Sequence, residues 1–153
     1  MSAPAATRLI ELPDLAATEL LGARLAPLAQ PGDAILLEGP LGVGKTALAR
    51  SFLRTAAGDP VLEVPSPSFT LVQSYDTSIG RVHHFDLWRI DRPQALIELG
   101  WEEALRDIVL VEWPDRLGEW RPQDALTAAL HFAVGDARRV VLSGWPGRID
   151  RLG

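Results

Sequence analysis

One short segment of the sequence combines the residue types that bind and transfer phosphates. Gly39, Gly44, Lys45 and Thr46 have the spacing G-x-x-x-x-G-K-[ST], which is the pattern of a phosphate-binding loop. Lys45 is the only lysine in the 153 residues. A compact, flexible ammonium suits contact with the β- and γ-phosphates of a nucleoside triphosphate. The segment therefore predicts a site for a nucleoside triphosphate and Mg²⁺.

The chemistry of such a loop gives each of its positions a role. Glycines at 42 and 44 allow positive φ, so that successive backbone N–H groups point inward at an anion. Thr46 would supply a hydroxyl ligand to Mg²⁺, and Lys45 would act on the transferred phosphate. The alternative is a glycine-rich turn that merely precedes a helix. We expect the nucleotide to be bound by Leu41, Gly42, Val43, Gly44, Lys45 and Thr46.

Two acids follow buried strands that could lie beside this loop. Glu112 follows the apolar run 108–111, and Asp86 stands near the end of the predicted strand 81–87. The carboxyl ends of parallel strands meet at one edge of a sheet, and Mg²⁺ prefers oxygen ligands. Either acid could therefore supply or orient an oxygen ligand of Mg²⁺ beside the loop. The alternatives are a solvated acid at position 112 and a turn cap at position 86.

The histidines and one tryptophan near these acids allow more than one interpretation. His83 and His84 adjoin Asp86, but neighbouring strand residues point to opposite faces and the chain has no cysteine. We expect these histidines to pack or to form hydrogen bonds rather than to bind a metal. Trp113 either lies against bound nucleotide or packs at the end of a strand.

A proline-framed segment, 65–70, carries hydroxyl side chains between two predicted elements. Ser66, Ser68 and Thr70 could respond to the presence of a γ-phosphate. The alternative is an ordinary polar loop. A difference in protease sensitivity between complexes with an ATP analogue and with ADP would distinguish the two.

The elements that must position these residues alternate in the manner of an α/β fold. Short apolar runs predict strands, and longer stretches with helical spacing predict helices. We expect a single P-loop NTPase-like domain over 1–153, with a mixed, mostly parallel sheet flanked by helices and with antiparallel hairpins. The predicted strands are 8–12, 34–37, 69–75, 81–87, 108–111, 126–132 and 140–143. The predicted helices begin at Asp14, Ala47, Asp91 and Trp101.

Composition narrows the classes of function. The net charge is −5 and the isoelectric point is about 5.1, which argues against a stand-alone protein that binds nucleic acid through a basic surface. The absence of cysteine excludes disulfides and thiolate zinc sites. Residues 1–7 do not have the pattern of a signal peptide, and no apolar run is long enough for a membrane helix. We expect a cytoplasmic protein with no membrane contact.

Several motifs together resemble one protein family. After the loop come Ser-Pro-Ser-Phe-Thr-Leu-Val at 66–72, His-Phe-Asp-Leu-Trp-Arg at 84–89, Glu-Leu-Gly at 98–100 and Val-Glu-Trp-Pro at 111–114. In identity and spacing these resemble the bacterial tRNA threonylcarbamoyladenosine biosynthesis ATPases, TsaE, formerly YjeE. The resemblance covers roughly residues 8–117. Departures are Ser68, Trp88 and Pro40, where threonine, tyrosine and an acid are common.

The resemblance implies a specific activity. The protein would be the small ATPase of the complex that places threonylcarbamoyl on adenosine 37 of tRNA, with the TsaD and TsaB proteins as partners and with tRNA contacted only indirectly. By position, Lys45 would contact phosphates, Thr46 and Glu112 would hold Mg²⁺, and Asp86 would orient or deprotonate the attacking water. No arginine stands at an obvious finger position, so we expect slow hydrolysis that the partners stimulate.

Other nucleotide-binding classes make different demands on the sequence. A GTPase reads guanine through an Asn/Thr-Lys-x-Asp motif, which a chain without asparagine and with a single lysine does not contain. A small-molecule P-loop kinase remains the alternative function, although segment 116–121 is a poor candidate for the arginine-bearing lid that such enzymes use. A nucleotide-binding adaptor without hydrolysis also remains open.

Overall fold

A seven-stranded mixed sheet forms the centre of the fold. The computed structural model describes residues 6–152, so most of segment 1–7, for which we expect no signal peptide, lies outside the described residues. The strands are β1 (Thr7–Leu12), β2 (Ala34–Glu38), β3 (Val72–Thr77), β4 (Gly80–Asp86), β5 (Ile108–Glu112), β6 (Leu126–Phe132) and β7 (Arg138–Ser143). Their order in the sheet is β1-β7-β6-β2-β5-β4-β3.

Four short helices and three 3₁₀ segments complete the described part of the chain. The helices are α1 (Leu15–Leu25), α2 (Lys45–Ala57), α3 (Ala95–Glu98) and α4 (Trp101–Ala104). The 3₁₀ segments are Ala26–Leu28, Pro114–Trp120 and Ile149–Leu152. Among residues 6–152, no helix is long and apolar enough to span a lipid bilayer.

The middle of the sheet is parallel and its edges are antiparallel. Strands β6, β2, β5 and β4 pair in parallel, whereas β3 pairs with β4, and β7 pairs with β6 and β1, in antiparallel fashion. The sequences of β2 and β5 are nearly continuous apolar runs because both faces of a central parallel strand are covered. The predicted fold class, a P-loop NTPase-like α/β domain with antiparallel hairpins, is confirmed.

Each face of the sheet has its own hydrophobic core. Side chains alternate along β2, so Ile35 and Leu37 join the cluster under α1 and α2. Leu36 points the other way and packs with Phe85 and Trp101, which meet edge to face at 5.1 Å between ring centroids. The two cores pack against opposite faces of β2 and β5, and this packing fixes the position at which both strands end.

Helices α1 and α2 pack closely because one contact point has no side chain. Asp14 caps α1, as predicted, by accepting a hydrogen bond from the backbone N–H of Ala17 at 2.9 Å. Gly22 faces α2, where an added Cβ would lie 2.6 Å from the carbonyl oxygen of Leu48 and 3.1 Å from the backbone nitrogen of Phe52. The helix that carries the phosphate loop is therefore held by a backbone-to-backbone approach.

Gly22→Ala is expected to lower the free energy of unfolding by about 1–2 kcal/mol. Overpacking at a tight contact costs about 1–3 kcal/mol, and it outweighs the gain of up to about 1 kcal/mol that alanine brings to a helix. Urea denaturation of the variant and the wild type measures the difference. Helix propensity alone predicts the opposite sign, so a variant more stable than the wild type would contradict the close approach.

Two local predictions were wrong, and each has a physical reason. Strand β3 begins at Val72 rather than at Phe69, because Leu71 adopts a φ of 69°, which interrupts extended backbone. The spacing of Asp91 and Gln94 predicts a capping box, but α3 begins only after Gln94, and the Gln94 side chain makes no capping hydrogen bond. Because the residues around Pro93 form a turn, the helix begins at Ala95, later in the chain than predicted.

Candidate functional site

The predicted phosphate loop connects the end of β2 to the start of α2. Gly42 and Gly44 have φ values of 80° and 117°, as the motif requires. Gly44 is also the residue that precedes the first turn of α2, so the backbone amides at the start of this helix are free to face an anion. Strand, loop and helix therefore occur in the predicted order.

Lys45 is buried and held by its own loop. Only 5% of this residue is exposed, and its ammonium donates hydrogen bonds to the carbonyl oxygens of Gly39 and, at 3.3 Å, Pro40. The ammonium also lies 3.5 Å from the ring centroid of Trp113. Trp113 reaches this position from a left-handed backbone conformation with a φ of 59°. Backbone strain of this kind concentrates at functional sites.

Burial and neighbouring charges act on Lys45 in opposite directions. Burial lowers the pKa of the ammonium below its ordinary value, while the negative charges of Glu112, Asp86 and Asp115 partly offset this by raising it. Burial is the larger effect. The lysine is thus a poorly solvated cation, and an anionic ligand would interact with it more strongly than in water.

Glu112 and Thr46 are in direct contact beside the loop. Glu112 is the last residue of β5 and is 3% exposed; its Oε1 accepts a hydrogen bond from the Thr46 hydroxyl at 2.8 Å. The solvated-acid alternative for Glu112 is therefore wrong. These two oxygens suit a hard cation such as Mg²⁺, which takes few protein ligands and completes its shell with phosphate and water.

Asp86 faces the same space from the neighbouring strand. It ends β4 in parallel register with Glu112 and is 6% exposed. Its Oδ2 accepts a hydrogen bond of 3.4 Å from the Ser66 hydroxyl, and its Oδ1 accepts one of 3.1 Å from the backbone N–H of Trp88. Asp86 thus caps the turn that follows β4 and also points at the site. Whether segment 65–70 responds to a γ-phosphate stays a prediction.

A cleft of about 280 Å³ brings these groups together. A second cavity, of about 540 Å³, lies on the other side of the loop and shares Gly42, Gly44 and Ala47 with the first. Of the predicted binding residues, only Val43 turns away: it is fully buried in the core and borders the second cavity. The first cleft is lined by Leu41, Gly42, Gly44, Lys45, Thr46, Ala47, Ser66, Ser68, Asp86, Trp88, Glu112 and Trp113.

The two adjacent histidines point to opposite faces of β4, and both are hydrogen-bonded. His83 lies 2.8 Å from Asp107 and 2.7 Å from the Ser74 hydroxyl, away from the cleft. His84 is fully buried, and its Nε2 lies 2.7 Å from Oε2 of Glu112. Within residues 6–152, no group of three or more His, Cys, Asp or Glu side chains could hold a metal ion. The expectation of hydrogen bonding is confirmed, but the partner of His84 was not predicted.

Comparison with known proteins identifies the family. A family model described as "Threonylcarbamoyl adenosine biosynthesis protein TsaE" matches residues 12–140. The chain belongs to the TsaE family. The matched region includes the phosphate loop, Asp86 and Glu112, and the resemblance of the motifs to this family is confirmed.

Individual TsaE relatives support this assignment along most of the chain. The TsaE protein of Nostoc sp. is 31% identical over 149 residues, covering 94% of this chain and 90% of its own length. The TsaE protein of Bacillus subtilis is 29% identical over 137 residues, covering 88% of this chain and 84% of its own length. The match to the TsaE protein of Rickettsia felis has 39% identity over 99 residues; it covers 64% of this chain and spans 57% of that relative's length.

The fold has a close counterpart among solved structures. The crystal structure of Bacillus subtilis YdiB superposes with a TM-score of 0.79 at 25% sequence identity, covering 99% of this chain and 94% of that one. The antiparallel hairpins β3–β4 and β6–β7 lie within the superposed length. The described architecture is therefore a P-loop NTPase-like fold that this chain shares with YdiB.

Proposed function

We propose that this TsaE chain is a Mg²⁺-dependent ATPase that serves tRNA threonylcarbamoyladenosine synthesis. The observation that carries the proposal is the hydrogen bond of 2.8 Å from the Thr46 hydroxyl to the Glu112 carboxylate. It lies directly beside the buried Lys45 on a phosphate loop. Phosphoryl transfer requires a phosphate-binding loop, a lysine and oxygen ligands for Mg²⁺, and this site has all three. By the family resemblance, the partners are the TsaD and TsaB proteins. The acidic chain would leave tRNA to them.

The residues of the cleft divide the reaction between them. The loop amides and Lys45 bind the phosphates, and the ammonium exchanges two carbonyl partners for phosphate oxygens. Thr46 and Glu112 would hold Mg²⁺, which when bound neutralises charge on the phosphates. Asp86 holds the attacking water in line and accepts its proton. The nucleoside is expected in the second cavity, since that cavity adjoins the same loop.

Asp86→Asn is expected to lower the partner-stimulated rate of ATP hydrolysis by about 10²-fold or more. An amide retains the contacts with Ser66 and Trp88 but does not accept a proton, and general-base catalysis contributes about 10²–10⁴-fold. The measurement is phosphate release with TsaD and TsaB present, alongside nucleotide affinity. Asp91→Asn, at an exposed acid further along the same segment, is the control.

Three results would count against parts of this proposal. Full stimulated activity in Asp86→Asn would exclude Asp86 as base. Equal rates with and without TsaD and TsaB would contradict partner stimulation. Transfer of phosphate to a metabolite, in place of its release as free phosphate, would favour the alternative function, a small-molecule kinase.

A further inference from the structure

His84 has an unusual environment for a histidine. It is fully buried in β4, yet it does not line the nucleotide cleft. Its Nε2 lies 2.7 Å from Oε2 of Glu112, whereas Nδ1 is buried without a hydrogen-bond partner among the described residues. The single polar contact of this imidazole is therefore made with the carboxylate that we propose as a metal ligand.

With this contact, both carboxylate oxygens of Glu112 have a hydrogen-bond partner. A carboxylate accepts hydrogen bonds at both oxygens, so the pairing requires Nε2 to carry the proton and to donate. This tautomer leaves Nδ1 as an acceptor, the less costly of the two ring nitrogens to leave unpaired. Oε1 of Glu112 meanwhile accepts from the Thr46 hydroxyl at 2.8 Å. His84 thus contacts the carboxylate from the side away from the cleft, and Thr46 contacts it from the cleft side.

The topology of the sheet makes this arrangement rigid. Strands β4 and β5 pair in parallel, with His84 opposite Leu110 and Asp86 opposite Glu112. His84 and Asp86 are two residues apart and so point to the same face of the strand. One strand therefore carries both the group that orients the metal ligand and the proposed base.

We propose that His84 is a positioning residue that sets the affinity of the site for Mg²⁺ by fixing the orientation of Glu112. The inference rests on the proposed function, because it assigns Glu112 to the metal. A metal-binding carboxylate is usually hydrogen-bonded in turn by a group behind it, and loss of such a group costs about 10–100-fold in metal affinity or activity. His84 has no part in contacting nucleotide or the reacting atoms.

Three substitutions separate this role from simple core packing. In His84→Gln the amide nitrogen can reach the position of Nε2, so the hydrogen bond to Glu112 is retained. In His84→Asn the amide is one carbon shorter and does not reach, although its polarity is the same. His84→Leu removes the donor altogether. The matched control is His83→Gln, on the opposite face of the same strand, where the partners are Asp107 and Ser74.

The measurement is the affinity of the full chain for a fluorescent, non-hydrolysable ATP analogue, titrated with MgCl₂ and repeated in EDTA. For His84→Asn and His84→Leu we expect the Mg²⁺ concentration at half-maximal effect to rise about 10–100-fold, with affinity in EDTA within about twofold of the wild type. His84→Gln should recover most of the loss, and His83→Gln should match the wild type. If His84→Leu does not fold, the Gln and Asn pair decides the question.

The outcomes distinguish this inference from the proposed function. Equal Mg²⁺ dependence in the wild type, His84→Asn and His84→Gln would overturn the positioning role and leave the proposed function standing. A parallel loss of affinity with Mg²⁺ and in EDTA would show that His84 only supports the fold, which also overturns it. A wild type whose nucleotide affinity does not respond to Mg²⁺ would contradict the proposed function, and the inference would fall with it.

Discussion

Replacing Lys45 with alanine is expected to lower kcat/KM for ATP by about 10²- to 10³-fold, in the presence of TsaD and TsaB. The residue is the only lysine in the chain, and it is 5% exposed, next to the Trp113 ring and near three carboxylates. Among residues 6–152, no other cationic side chain lines the cleft. Stimulated phosphate release measures the effect, and a tRNA modification assay with the partners tests its consequence.

The fold should tolerate the loss of Lys45. Burial lowers the pKa of the ammonium, so the folded chain holds this charge at a cost, and its removal offsets the lost contacts with Gly39 and Trp113. We expect the free energy of unfolding to change by less than about 1 kcal/mol. Lys45→Arg is the charge-conserving control and should stay inactive, since a planar guanidinium does not fit a space shaped for an ammonium. Wild-type turnover in Lys45→Ala would contradict the assignment of the loop.

The features that the sequence predicted are those governed by local rules. Positive φ at Gly42 and Gly44 follows from the chemistry of the loop, and the apolar runs 34–37 and 108–111 indicate buried parallel strands. Because parallel strands end at a common edge, the meeting of Glu112 with the loop could also be expected. These rules use only neighbouring residues and the general geometry of sheets.

Contacts between distant parts of the chain could not be predicted in this way. The alternating pattern of β6 indicates a strand, but not that it pairs in parallel with β2, because that position is set by packing across the sheet. Likewise, His84 and Glu112 are separated by 28 positions, and their contact depends on the register of β4 against β5. The one available signal was the two-residue spacing of His84 and Asp86, which places both on one face.

Local structure was also overridden where loops meet the site. The sequence of 69–75 has strand propensity, yet segment 67–71 forms a turn in which the backbone N–H of Leu71 donates a hydrogen bond to the carbonyl oxygen of Pro67 at 2.7 Å. Leu71 in turn accepts a hydrogen bond from the backbone N–H of Asp86 at 3.0 Å. Tertiary hydrogen bonds around the proposed base therefore outweigh intrinsic preference here.

Glu112→Gln is expected to produce effects of opposite sign with and without Mg²⁺. The amide has nearly the shape of the acid but no charge, so the proposed metal site loses the anionic ligand that we assign to it. We expect stimulated kcat to fall by about 10²- to 10³-fold and the Mg²⁺ requirement to rise. In EDTA, nucleotide affinity should instead increase, because a buried negative charge next to the triphosphate has been removed.

The matched control is Glu38→Gln at the end of the adjacent strand. Glu38 ends β2 as Glu112 ends β5, but it is paired with Arg121 and does not line the cleft. Its substitution removes the same charge at the same edge of the sheet, so it should leave the Mg²⁺ dependence of nucleotide binding unchanged. Fluorescence titration of each variant with the ATP analogue, in MgCl₂ and in EDTA, measures the change in nucleotide affinity with and without the metal in one experiment. A loss of affinity in both conditions for Glu112→Gln would mean that the acid maintains the loop rather than the metal.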